Sequence, residues 1–216
     1  NRPRSKKFKF ILFSVGTVAM FLIAAIVSTF LSEKATKSIR SGIQNINELS
    51  LPTLKLYNVL GVKIKSPAAF AETDVGLTAA QKIEMGIVSS ESFISTYSKK
   101  DPNDHEIIIS SVFRQIHEPN ITFDTETARI ETANKWKNSI KLSDIQEQTN
   151  LVSIDNREFR RTMISGLMDG RGPTMEISLL TYHNDSTMWM IAIVNNKRYH
   201  SSTDEMIQSI SFINDN

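Results

Sequence analysis

Residues 150–194 read NLVSIDNREFRRTMISGLMDGRGPTMEISLLTYHNDSTMWMIAIV. Stretches rich in β-branched and aromatic residues alternate there with short clusters of turn residues. The clusters are Asp155-Asn156, Asp169-Gly170-Arg171-Gly172-Pro173 and His183-Asn184-Asp185-Ser186. Asn, Asp and Gly accept the positive φ of tight hairpins, and Pro cannot continue a ladder. The pattern predicts four antiparallel strands near 150–155, 157–168, 174–183 and 187–194. Residues 188–194 (MWMIAIV) are apolar at successive positions. A strand covered on one face would alternate, so this one is expected at the centre of the sheet.

Moving towards the N-terminus, residues 124–141 predict a helix. Asp124 is placed to cap it, Glu126 sits in the first turn, and Lys135, Lys137 and Lys141 lie near its end. Those charges agree with the helix macrodipole. Ile130, Ala133, Trp136 (or the stem of Lys137) and Ile140 are its expected inner face. Residues 91–98 and 106–116 are expected to form a hairpin about Lys100-Asp101-Pro102-Asn103-Asp104. Residues 54–66 read as one strand ending at Pro67. The stretch from Thr78 starts a short helix. Towards the C-terminus, Ser202-x-x-Glu205 matches a capping box opening a last helix, and residues 210–213 add a closing strand. Local strand pairing with helices interposed predicts an α+β domain over residues 51–216, with helices packed on an antiparallel sheet.

The N-terminal quarter has a different composition. Residues 10–31 (FILFSVGTVAMFLIAAIVSTFL) carry no charge, and as a helix they would span roughly 30 Å, a bilayer's hydrocarbon thickness. Arg2, Arg4, Lys6, Lys7 and Lys9 precede them, and the first acid is Glu33. The run is too long for a typical signal-peptide core and lacks a small-residue cleavage pattern, so a retained transmembrane helix is expected. The basic flank at 1–9 then stays cytoplasmic, and the domain faces the periplasm or exterior, in keeping with a bacterial inner-membrane protein. Residues 32–50 form a polar juxtamembrane linker with Ile39, Ile43, Ile46 and Leu49 on one helical stripe. That stripe has two readings: a helix resting on the domain, or a seam that forms a homodimer. Removing the five N-terminal cations from 25 Lys+Arg against 23 Asp+Glu leaves −3 on the rest. The basic pI therefore belongs to the membrane flank and gives no reason to expect nucleic acid.

Tyr57, Gly61-Val62-Lys63-Ile64-Lys65-Ser66-Pro67, the Trp189 strand and Met206-Ile207-Gln208-Ser209-Ile210-Ser211-Phe212 together resemble the PsbP-like superfamily, including the bacterial DcrB-like proteins. The resemblance spans about residues 54–213. It implies an α-β-α sandwich and an extracytoplasmic accessory or binding role without catalytic machinery. It transfers no functional residue.

The chemistry-bearing residues offer little else. Cysteine is absent, which excludes thiol catalysis, disulfides and Cys-ligated metals. His105, His117, His183 and His200 show no ligand spacing, so no metal and no cofactor is expected. Ser111, Ser165 and Ser178 fall in strands, with no nucleophile elbow. Gly166, Gly170 and Gly172 lead into a strand, not a helix, and read as a hairpin turn. Asp101, Asn103 and Asp104 lack the remaining ligands of a calcium loop. Asn120-Ile121-Thr122 and Asn184-Asp185-Ser186 match glycosylation acceptors, which matter only in a eukaryotic secretory route. Arg157, Arg160 and Arg161 form a basic cluster, with Arg157 and Arg161 on one strand face and Arg160 on the other. It reads as charge protecting a sheet edge or as a docking patch for acidic lipid or a partner. The expected function is thus a membrane-anchored, non-enzymatic accessory protein engaging the bilayer and an envelope protein or ligand. The alternatives are a sensory or assembly domain working through the 32–50 stripe and an unrecognised hydrolase.

Overall fold

The structure, a computed structural model, describes residues 52–74, 78–101, 104–119, 124–184, 186–196 and 200–213. The expected membrane span and the Ile39, Ile43, Ile46 and Leu49 stripe lie outside them. Among the described residues no helix is long and apolar enough to cross a membrane.

The elements run β1 (Lys55–Val59), β2 (Val62–Ser66), β3 (Ala71–Thr73), α1 (Ala79–Glu84), β4 (Ile87–Asp101), β5 (Asp104–His117), α2 (Thr125–Ser139), β6 (Leu142–Ile154), β7 (Arg157–Met168), β8 (Thr174–His183), β9 (Thr187–Asn196), α3 (His200–Gln208) and β10 (Ser211–Phe212). Seven strands form one sheet in the order β3-β4-β5-β9-β8-β7-β6, and every pairing is antiparallel. β9 is the middle strand, and nearly all of it is buried. That is the consequence of its continuous apolar run.

One face of the sheet is covered by α2. Ala133, Trp136 and Ile140 pack there on Ile109, Ile164, Ile177, Leu179 and Val194. Side chains as completely buried as Ile164 and Ile177 contribute about 1.5–3 kcal/mol each. The other face differs from the expected α-β-α sandwich. It is covered by α3 together with a second, three-stranded sheet of order β1-β2-β10. The molecule is α+β but mostly β. The small sheet brings the first and last described elements together, with Ser211 opposite Lys63 and Phe212 opposite Val62.

Four local expectations change. The single strand over 54–66 is a hairpin, because Leu60 (φ 52°) and Gly61 (φ 79°) turn the chain between two runs with the same alternation. Ile130 points outward, and Ala128 and Arg129 take the inner face of α2 with Ala133 and Trp136. The capping box is not at a helix start. α3 begins at His200, and Ser202 and Thr203 are buried within it, where Thr203 Oγ1 accepts from the Asn195 amide. β6 begins at Leu142 rather than near 150, because ladder bonds to β7 extend a segment, Gln146-Glu147-Gln148-Thr149-Asn150, that carries no strand signal of its own.

Candidate functional site

α2 enters the fold through a conventional N-cap. The Asp124 carboxylate accepts from the Thr127 backbone N–H at 2.9 Å and from its hydroxyl at 2.6 Å. Those bonds, the hydroxyl first, hold the Asp124 carboxyl below its ordinary range. The cap sets the first turn of α2 over strands β6, β7 and β8. Between them lies a cleft of about 390 Å³ lined by Thr125, Glu126, Leu151, Glu158, Arg160, Thr181, Tyr182 and His183. The positions on β6, β7 and β8 are cross-strand neighbours: Leu151 pairs with Arg160, and Arg160 with Thr181.

Glu126 organises the cleft wall. Arg129 donates to it through Nε at 3.1 Å and Nη2 at 2.6 Å, and Arg160 Nη1 donates at 2.6 Å. The Arg129 hydrogen bonds hold the Glu126 carboxyl below its usual value; burial opposes them, and the Arg160 hydrogen bond and the charges of both arginines add to the lowering. Arg129 itself is only 6% exposed. A buried cation is costly unless its donors are matched, and here they are. Its Nη1 reaches Thr162 Oγ1 at 2.5 Å and Thr149 Oγ1 at 3.3 Å, and the two threonines lie 3.0 Å apart.

The three arginines of the sequence cluster are not gathered into one patch. Arg160 faces the α2 side and the cleft. Arg157 and Arg161 face the other side, as their parity predicts. There the Arg157 guanidinium lies 4.1 Å from the centre of the Phe212 ring and 3.0 Å from Asp155, and Arg161 reaches Asp204 at 3.3 Å and Ser178 Oγ at 3.2 Å. Each arginine thus has an acidic partner within the domain. The edge-protection reading fails, because β7 is paired on both sides and β6 is the edge.

The remaining candidates are dispersed. His117 is buried at the end of β5, and burial lowers its pKa below 6.5 against a hydrogen bond to the Met85 backbone. His183 is exposed at the end of β8, on the cleft. His105 and His200 lie at element ends, and their side chains are outside the described residues. Ser111 and Ser165 sit on different strands, and among the described side chains no histidine is bonded to either. Gly166 is required by packing rather than by a ligand. A Cβ there would stand 2.7 Å from the Ser143 carbonyl, at a bulge in β6. Gly170 and Gly172 belong to the β7–β8 turn, where the Gly172 N–H donates to Met168 O at 2.7 Å. Asp101 and Asp104 close the β4–β5 hairpin. Asn184 Oδ1 accepts from Thr187 N at 2.9 Å, and Asn120 lies outside the described residues. Among the described residues, no group of three or more metal-ligating side chains converges.

Sequence reading missed Glu126, Arg129, Glu158 and Thr181. A signal existed for one of them: Arg129 is four, seven and eleven residues from Ala133, Trp136 and Ile140, which is helical spacing on one face. Assigning that face by hydrophobicity alone selected Ile130 instead.

Neither a protein-family model nor a curated protein matches the chain. Two solved structures are similar in part. One is a Pseudomonas aeruginosa protein of unknown function, PA94, with 9% identity and a TM-score of 0.38, over 73% of this chain and 96% of that one. The other is LpqN of Mycobacterium tuberculosis, described as involved in cell envelope biogenesis, with 9% identity and a TM-score of 0.41, over 74% of this chain and 90% of that one.

Proposed function

We propose that this chain is a membrane-anchored, extracytoplasmic accessory protein that binds a protein partner or ligand at the α2 cleft and performs no chemistry of its own. The observation that carries the reading is the state of Glu126. A general acid or base works best with a pKa near the working pH. Two guanidinium groups displace Glu126 the other way and keep it charged. Its charge serves to fix Arg160, whose half-exposed guanidinium faces the cleft beside Glu158, Thr181 and Leu151. Such a wall, with donor, acceptor and one apolar contact, suits recognition of a polar segment. The uncharged run at 10–31 and its basic flank support the membrane placement, and the antiparallel sheet of an α+β domain agrees with the PsbP-like resemblance in fold class.

Two measurements test this. Protease added to sealed right-side-out vesicles should digest the domain; digestion only after lysis would overturn the placement. A partner co-purified in mild detergent should be lost on Arg160→Glu and kept on Arg171→Glu, a substitution at an exposed turn residue away from the cleft. Equal recovery from both would remove the cleft from the account.

A second reading has one observation behind it. The cleft gathers a histidine, carboxylates and a threonine hydroxyl, the residue types of a hydrolytic site. No hydrogen bond joins His183 to Glu126, Glu158 or Thr181, and the Thr181 hydroxyl donates to the Arg160 carbonyl at 3.3 Å. Turnover of an activated ester that disappears with His183→Ala would favour the hydrolase; turnover unaffected by that change would not.

A further inference from the structure

Among the described residues β6 is the long unpaired edge of the main sheet. It has 13 residues, and Asp144 through Leu151 are all exposed. A bare edge of that length offers its unpaired N–H and C=O groups to another strand, and proteins normally shorten or block such edges. The opposite edge, β3, has only three residues.

The side chains along β6 show which strand fits. The segment reads Leu142-Ser-Asp-Ile145-Gln146-Glu147-Gln148-Thr149-Asn150-Leu151-Val-Ser-Ile154. Read outward from Gln148 in both directions, Gln146 meets Asn150 and Ile145 meets Leu151, each a chemical match, and Glu147 meets Thr149, an acid against a hydroxyl. An antiparallel pair of identical strands related by a two-fold axis at Gln148 would set those residues directly opposite one another; beyond them Asp144 would meet Val152, which ends the match. Paired residues in a ladder share a face. The exposed apolar side chains of β6 are Ile145 and Leu151, 44% and 56% exposed, and this register puts each against the other. Ile145 and Leu151 both lie on the α2 face: Ile145 is within van der Waals range of a Cβ placed on Gly166, and Leu151 lines the α2 cleft. Exposed Ile130 extends the apolar strip along the same side. It precedes Lys137 by seven residues on α2, and Lys137 reaches over the sheet to Glu147 at 2.9 Å.

Charge agrees as well. Glu147 would face a threonine rather than its own copy, and it is already neutralised by Lys137. Asp144 falls outside the ladder. Its backbone is in the left-handed region (φ 50°) at the β6 bulge, which ends the run that pairs regularly.

We infer that β6 is a homodimer interface: two copies pair antiparallel at residues 145–151 about Gln148 and join their seven-stranded sheets into one. Seven paired residues give about six to eight backbone hydrogen bonds between the copies. The inference does not rest on the cleft reading or on the juxtamembrane stripe, but Leu151 belongs both to the pairing edge and to the cleft rim, so the second copy would form part of the cleft wall.

The register is testable because the chain has no cysteine. In the full chain in mild detergent, Gln148→Cys places two thiols directly opposite, at a Cα separation of about 4.5–5.5 Å that a disulfide accepts. Mild oxidation should then give a covalent dimer. Asn150→Cys sets its own two copies about 14 Å apart along the ladder, so it should stay monomeric alone and cross-link when mixed with Gln146→Cys. Ile145→Lys combined with Leu151→Lys, both on exposed side chains, should leave the circular dichroism unchanged and weaken the sedimenting dimer at least tenfold. A chain that sediments as a monomer, equal cross-linking by Gln148→Cys and Asn150→Cys, or a dimer indifferent to the two lysines would each overturn the inference. So would a Gln148→Cys thiol that cross-links to a different protein. A dimer abolished by Ile39, Ile43 and Ile46 to Asn but kept by the lysine variant would assign dimerisation to the juxtamembrane stripe instead.

Discussion

Arg129 is a cation placed where α2 would be expected to present an aliphatic side chain. Its position is stable because Glu126, Thr149 and Thr162 together absorb its donors. Arg129→Ala removes the stem packing and leaves two threonine hydroxyls without the guanidinium, so a loss of about 2–4 kcal/mol is expected in urea unfolding. Arg129→Met keeps the stem and abolishes the desolvation cost of the charge, and should lose much less. The titrating residues predict a two-step pH response. His117 has its native pKa below the unfolded value of 6.5, so the unfolded chain takes up a proton first. Stability therefore falls as pH drops through 6.5 and levels off below the native value. Glu126 is depressed below 4.5 in the native state, so its contribution is complete above that pH and is lost as pH falls through the native value. Midpoints of urea unfolding measured from pH 7.5 to 3 should show both steps. His117→Gln should flatten the first, and Glu126→Gln should reduce the second, to which the depressed Asp124 carboxyl also contributes.

At the scale of elements, the shortest strand closes the larger of the two core layers. β10 has two residues, yet Phe212 lies edge-on to Trp189 with ring centres 5.2 Å apart, and within 6 Å of the Tyr182 and Phe159 rings. Its N–H donates to Asp155 at 2.7 Å, at the β6–β7 turn. Phe212→Ala should cost about 2–4 kcal/mol, near the lower end for a buried aromatic because the ring is half-buried. At the other core, Asp124→Ala should cost about 1 kcal/mol by removing the α2 cap. It should also loosen the first turn that carries Glu126. Both changes are measurable as shifts in denaturation midpoint. The β6–β7 turn was legible in advance, since Asp155 and Asn156 both adopt the positive φ (50° and 58°) that their residue types tolerate. β6 itself was not legible over its first half, because its strand state comes from β7 rather than from its own side chains.

For the molecule as a whole, the small sheet links the first described strands to the last. Val62 and Ile64 share a core with Ile207, Ile210 and Phe212, so removing β10 and Ile210 should loosen the cover that β2 gives the main sheet. A chain ending at Ser209 should therefore bind an apolar dye and lose near-ultraviolet dichroism from Trp189. The α2 side, with Trp136, should persist, since its contacts lie within residues 94–194. Retention of both signals would show that β1 and β2 hold the layer alone. The pairing of chain ends also makes folding non-local, and refolding on the millisecond-to-second scale is expected.

Period, turn chemistry and caps were enough to determine, from the chain alone, the β4–β5 hairpin, the meander from the end of β6 through β9, the buried centre strand and the Asp124 start of α2. Each of these depends on residues within a few positions of one another. The opposite faces of Arg157 and Arg160 were also legible, because strand parity is local. Tertiary structure alone decided that Arg129 is inside and Ile130 outside, that Ser202 sits within a helix, and that the second layer is a sheet. It also assembled the cleft, which joins side chains from α2, β6, β7 and β8. Those outcomes depend on partners far away in sequence, and the free energy of a buried ion pair or a shared ladder exists only once both partners are in place.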